Sequence, residues 1–139
     1  MANQALRIGI IGYSSWGFDK DEAQLLILDK LVQLKEISGD CELVSGLTAI
    51  GIPLLAYEAA SFLKMRTVGI ACSKAYEYDC YPCDEIIIVG DNWGDESETF
   101  LSHIDLLIKV GGGPQSAKEY ASYTGPKVEI TLEKNLRLS

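Results

Sequence analysis

The sequence predicts an α/β fold of three layers, built on a mostly parallel, doubly wound sheet. Three observations predict it. Short apolar runs alternate along the chain with segments of helical spacing, the pattern of successive βαβ units. The apolar runs are rich in Ile, Val and Leu and lack polar alternation, which suits strands buried on both faces of a parallel sheet. The length of 139 residues fits one core, so a single domain over residues 1–139 is expected.

The first run, 6–11, is short and β-branched (Leu-Arg-Ile-Gly-Ile-Ile). Residues 21–37 then carry Ala23, Leu26, Ile27, Leu31 and Leu34 on one helical face. Asp19, Asp21 and Glu22 stand where a helix N-terminus favours negative charge, and Gly39 marks the stop. A second strand is expected at 41–45, ended by Gly46, and an Ala- and Leu-rich helix at 53–64. Strands follow at 67–72 and 85–89, then a short helix at 96–104. The strand 105–110 runs straight into Gly111-Gly112-Gly113, followed by a helix at 115–123 and a last strand at 127–131. The tail beyond Leu132 is expected to pair with a sheet edge or to fray. Such a sheet is Rossmann-like, and its ligands sit outside the carboxyl ends of the strands at a switch in strand order. The loops after the strands are therefore the place to look for function.

Charge narrows the partners. Lys and Arg number 12 against 20 Asp and Glu, giving a net charge of −8 and a pI of about 4.6. That argues against binding nucleic acid or an anionic membrane surface, which need a basic face. Most of the excess acid lies beyond residue 70, so an anionic ligand there must be held by something other than basic side chains. No apolar run approaches the ~18 residues of a membrane span. The first residues lack the apolar stretch of a secretory signal. The four cysteines are too few for a disulfide scaffold, so a reducing, cytoplasmic setting is expected.

Three loops carry the candidate chemistry. Gly12-Tyr-Ser-Ser-Trp-Gly17 follows the first strand and offers two glycines and the hydroxyls of Ser14 and Ser15 near a helix N-terminus. It is neither a dinucleotide fingerprint nor a Walker loop, and a plain turn explains it as well. Gly46-Leu-Thr48 follows the second strand with the same ambiguity. The third loop is the most informative. Gly111, Gly112 and Gly113 together cost backbone entropy, about 0.5–1 kcal/mol each. Successive N–H groups ahead of a helix, with the Ser116 hydroxyl, make an anion cradle that needs no cation. Close packing of helix on strand is the alternative. Glu119 lies one turn into that helix, placed to face a sugar hydroxyl or a reacting carbon.

These motifs carry a resemblance. Ser45-Gly-Leu-Thr-Ala-Ile-Gly-Ile resembles a glycine-rich stretch of the DNA-processing Smf/DprA proteins. The stretch from Asp105 to Glu119, with Gly-Gly-Gly-Pro-Gln-Ser-Ala-Lys-Glu at its end, resembles the glycine-and-glutamate motif of the lysine-decarboxylase-like Lonely Guy proteins. Over about residues 6–131 the chain thus resembles the Smf/DprA–Lonely Guy (SLOG) Rossmann superfamily. The resemblance implies a phosphate-binding domain for nucleotides or their derivatives, with Gly112, Gly113 and Ser116 at phosphate-binding positions. It also implies that Glu119 takes the place of a glutamate that helps to cleave the N-glycosidic bond of a nucleoside 5′-monophosphate. Two departures stand out. Gln115-Ser116 replaces the usual Gly-Thr, and no arginine lies in the loop at 90–97, where the family's catalytic arginine belongs. A missing cation removes transition-state stabilisation. Ligand binding therefore leads the reading, and phosphoribohydrolase activity through Glu119 is the alternative.

Other residues invite chemistry less strongly. Cys80-Tyr-Pro-Cys83 is followed by Asp84, Glu85 and a strand rather than by a thiol-activating helix. His103 stands alone, better suited to a cap or the surface than to catalysis. Trp16 and Trp93 lie in carboxyl-end loops, where each suits base stacking or a core edge equally. Asp91, Asp95, Glu96 and Glu98 form an acidic run, either solvated or holding a divalent metal against phosphate. The expected ligand is a nucleotide or phosphorylated small molecule, bound by Gly12, Ser14, Ser15, Gly17, Gly46, Thr48, Gly111, Gly112, Gly113 and Ser116. No resident cofactor is expected beyond a divalent metal brought with the nucleotide. A homodimer or larger homo-oligomer follows from superfamily habit.

Overall fold

A computed structural model describes residues 5–132. The tail beyond Leu132, expected to pair with a sheet edge or to fray, lies outside them. β1 (Leu6–Gly12), β2 (Cys41–Ser45), β3 (Arg66–Ala71), β4 (Glu85–Ile88), β5 (Leu106–Val110) and β6 (Lys127–Ile130) form one sheet in the order β4-β3-β2-β1-β5-β6. Every pairing is parallel. The chain steps outward from β1 to β4, then returns to the other side of β1 as β5. That reversal places the switch in strand order between β1 and β5.

The helices divide between the two faces. α1 (Lys20–Ser38) and α2 (Gly51–Phe62) bury Ile27, Leu31, Leu55 and Tyr57 against Ile8, Ile10, Leu43 and Ile108. α3 (Ser97–Ser102) and α4 (Pro114–Ser122) lie on the opposite face, where Phe100 and Tyr120 meet Ile11, Val44, Val68 and Leu107. Each fully buried Ile or Leu contributes roughly 1.5–3 kcal/mol of transfer free energy. The three layers match the expected fold.

Element ends differ in small, explicable ways. α1 starts one residue earlier than expected, because the Asp19 carboxylate accepts the Glu22 N–H at 3.0 Å and caps it. α2 begins at Gly51 rather than Pro53, since the Ile52 N–H already finds the Tyr13 carbonyl at 2.8 Å. α3 is shorter than the acidic run and its apolar residues suggested, and His103 is its C-cap. A 3₁₀ turn at Ser73–Glu77 has no counterpart in the sequence reading.

Candidate functional site

A cleft of about 600 Å³ opens at the carboxyl ends of β1, β2 and β3, closed on one side by α4. It lies beside the switch between β1 and β5, where open parallel sheets bind ligands. Gly12, Ser14 and Ser15 enter it from the loop after β1, Gly46 and Thr48 from the loop after β2, and Gly113, Ser116 and Glu119 from α4 and its cap. The three glycine loops, widely separated in sequence, thus meet on one edge of the sheet. Gly17, Gly111 and Gly112 do not line the cleft.

Gly111 and Gly112 act from behind the wall. Both have positive φ, 63° and 111°. A Cβ on Gly111 would overlap the Tyr13 ring, and one on Gly112 would come within 2.7 Å of the Ser116 Cβ. Close packing thus accounts for these two glycines. Gly113 differs: its φ is −100° and a Cβ there would meet nothing within 4 Å. It is the N-cap of α4 and has no side chain to cap with, and Pro114 follows in the first turn. Among the described residues, no acceptor pairs with the N–H groups of Gly113, Gln115 or Ser116. All three residues line the cleft. The Ser116 hydroxyl donates to the Gly12 carbonyl at 3.3 Å and ties α4 to the end of β1.

The loop after β2 is fixed from beneath. The Tyr57 hydroxyl lies 2.7 Å from the Gly46 carbonyl and 3.0 Å from that of Val68. Burial pushes its pKa well above the ordinary tyrosine value. Ser45 donates to the Ile10 carbonyl at 2.6 Å, joining β2 to β1.

Two buried carboxylates face one another across α3 and α4. Glu96 is 6% exposed and Glu119 7%. The Gln115 amide bridges them, donating to Glu96 at 3.1 Å and to Glu119 at 3.2 Å. Ser97 donates to the same Oε2 of Glu119 at 2.5 Å, and the Gly94 N–H donates to Glu96 at 3.0 Å. Among the described residues, Glu119 Oε1 has no hydrogen-bond partner. Burial, reinforced by the nearby Glu96 charge, raises the Glu119 pKa against the lowering pull of its hydrogen bonds. Glu119 is legible in the sequence, whereas Gln115 reads there only as a departure and Glu96 as one acid of a run. The spacing of Gln115 and Glu119, one helical turn apart, was the available signal.

Among the described residues, none that lines the cleft is Lys, Arg or His. Arg7 pairs with Asp105 and Arg66 with Glu85, both where strands begin, at the opposite edge. Arg137 lies outside the described residues. The acidic run does not act as a unit. Asp95 accepts the N–H groups of Asp91 and Asn92, Asp91 accepts the Ser73 hydroxyl, Glu98 is exposed and Glu96 turns inward. Among the described residues, no three His, Cys, Asp or Glu side chains converge as a metal site. Burial raises the Cys80 and Cys83 pKa values, which disfavours a reactive thiolate.

Neither a protein-family profile nor a curated protein sequence matches the chain. Solved structures do. One is a molybdenum cofactor binding protein from the phototrophic bacterium Rippkaea orientalis, with a TM-score of 0.74 and 21% identity. The match covers 94% of this chain and 78% of that one. Another is the molybdenum cofactor carrier protein of Chlamydomonas reinhardtii, with a TM-score of 0.72 and 22% identity over 92% of this chain and 78% of that one. The chain shares their fold. At such identities the likeness concerns architecture and leaves the ligand of this cleft to its own chemistry. Among the described residues, no helix is long and apolar enough to cross a membrane.

Proposed function

We propose that the protein binds a phosphorylated, nucleotide-like small molecule in this cleft, as a member of the Smf/DprA–Lonely Guy superfamily. One observation carries the reading: the unpaired N–H groups of Gly113, Gln115 and Ser116 converge at the N-terminus of α4, inside the cleft. Aligned N–H groups and the helix dipole favour an anion without any cationic side chain. Ser14, Ser15 and Thr48 supply further hydroxyls along the wall.

The acids constrain the rest of the ligand. Glu96 and Glu119 repel added negative charge, so a monophosphate ester suits the cleft better than a di- or triphosphate. The ligand's groups nearest them must donate hydrogens, as ribose hydroxyls or a ring amine do. Nucleoside monophosphates serve as probes. A molybdenum cofactor is the ligand named for two proteins of the same fold and belongs in the same assay. A divalent metal would have to arrive with the ligand. The experiment is a thermal melt with adenosine and guanosine monophosphate beside their triphosphates. A dose-dependent rise in Tm, larger for the monophosphates, supports the reading; no rise with any phosphorylated probe removes it.

A second reading has an observation of its own. Glu119 is buried and carries a free oxygen and a raised pKa, as befits a group that handles protons or a developing positive charge on ribose. Cleavage of the N-glycosidic bond also builds negative charge on the leaving base, and the described residues that line the cleft include no cation for it. Weak or absent hydrolysis is therefore expected. Base release by the wild type, lost in Glu119→Gln, would promote the phosphoribohydrolase instead. Self-association belongs to the same proposal and is supported by the exposed Ile86 and Ile88 of edge strand β4. Light scattering that finds only monomer removes it.

A further inference from the structure

Two aromatic side chains stand on the cleft wall about half exposed: Trp93 at 48% and Tyr78 at 58%. Their ring centroids are 6.2 Å apart with planes inclined by 49°, so they touch without covering each other's faces. Their exposure is not the product of a loose backbone. The Asp95 carboxylate accepts the N–H groups of Asp91 at 3.1 Å and Asn92 at 3.0 Å, closing the turn that carries Trp93. Ser73 binds this turn twice, its N–H to the Gly90 carbonyl at 2.9 Å and its hydroxyl to Asp91 at 2.8 Å. Ser73 also opens the 3₁₀ turn that ends at Tyr78. The following residues are stitched to the loop after β2, through Ala49 N–H to Asp79 at 2.8 Å and Tyr81 N–H to Leu47 at 2.9 Å. Both rings are therefore carried to the cleft on hydrogen-bonded turns and stand about half exposed there.

Trp16 provides a contrast within the same molecule. It lies against Phe18 at 5.6 Å, has the Lys20 ammonium 5.0 Å from its ring, and does not line the cleft.

We propose that Trp93, flanked by Tyr78, is the stacking platform for the ring of the ligand, a fused planar heteroaromatic with an exocyclic amine, as in a purine or a pterin. The inference deepens the ligand reading above and rests on it for the position of the phosphate. Three features define the ring. Aromatic faces accept flat π systems with little regard to their edge pattern. Glu96 and Glu119 present acceptors, so the ring edge turned toward them must donate, as an amine does. A cleft of about 600 Å³ is of the size that takes a ligand of nucleotide scale.

The test separates ring from phosphate. In a Trp16→Phe background Trp93 is the sole tryptophan, since the chain has two, and its fluorescence reports contact with a ring. The probes are guanosine and adenosine monophosphate, ribose 5-phosphate, guanosine, and the pterin neopterin. Quenching by the ring-bearing probes but not by ribose 5-phosphate is expected. In the protein with native Trp16, Trp93→Ala is expected to weaken monophosphate binding by roughly tenfold or more, as loss of a stacking contact does. Ribose 5-phosphate binding should be unchanged, and Trp93→Phe should retain most of the affinity. The apo melts of both variants check that the fold is intact. Comparing guanosine with neopterin decides between purine and pterin. Quenching by guanosine with no binding of ribose 5-phosphate would uphold the platform and remove the phosphate cradle. Monophosphate binding that is equally tight in Trp93→Ala, or absence of quenching by every ring-bearing probe, overturns the platform.

Discussion

At Gly112 and Gly113, adjacent glycines answer to different physics. Gly112 has φ of 111° and packs against Ser116. Gly112→Ala should therefore cost about 1–3 kcal/mol in a urea melt, because strain and overlap add. Gly113 has extended geometry and open space. Gly113→Ser should stabilise the protein by a few tenths of a kcal/mol, because the new hydroxyl caps the N–H of Gln115 or Ser116. The same hydroxyl occupies a donor meant for the ligand, so phosphate binding should weaken while Tm rises. Calorimetric titration beside a melt measures both; tighter binding in Gly113→Ser would contradict the cradle. Glu119 gives a pH signature. Its pKa is raised above the ordinary glutamate value of 4.5 in the folded protein, chiefly by burial. The folded state thus disfavours its ionised form. Stability associated with neutral Glu119 is fully present below the unfolded value and is lost as pH rises through the folded one. Glu119→Gln lacks this loss, so its stability relative to wild type should improve from pH 4 toward neutrality. Melts across that range check the sign, and a difference that is flat or falls with pH contradicts it.

Loops and helices set these residues in place. The loop after β2 owes its position to the buried Tyr57 hydroxyl, which serves the Gly46 carbonyl. Tyr57→Phe should cost about 1–3 kcal/mol, since it strands buried carbonyls. The strands were legible because parallel strands buried on both faces need unbroken apolar runs, and 41–45 was placed to the residue. The glycine loops were legible because a strand's direction decides which edge its following loop occupies. Other features left no local trace. The isolated bridge between Thr48 and Cys80 is tertiary, so nothing near Tyr78 showed that its segment returns to the cleft. Glu96 was hidden among acids, because burial depends on how α3 meets α4 rather than on its neighbours in sequence. Gln115 breaks the glycine-threonine pattern of the proteins this loop resembles, yet its amide joins the two carboxylates. Gly111 and Gly112 satisfied the anion-cradle pattern while being required by Tyr13 and Ser116 packing, which sequence cannot separate.

Across the whole molecule, fold and charge point the same way. The sheet reverses its order between β1 and β5 and opens a cleft there, while the arginines among the described residues are paired at the opposite edge. A ligand bound only by the folded state stabilises it by mass action, about 2.7 kcal/mol at a hundredfold excess over Kd. Nucleoside monophosphates should give that concentration dependence without releasing free base. The most direct measurement is a crystal structure of the protein soaked with guanosine monophosphate. The phosphate should lie within hydrogen-bond distance of the N–H groups of Gly113, Gln115 and Ser116, with Glu119 facing the ribose or the base. A phosphate bound instead at the distant edge, near Lys64 and Arg66, with the cleft free of ligand, would contradict the proposed site.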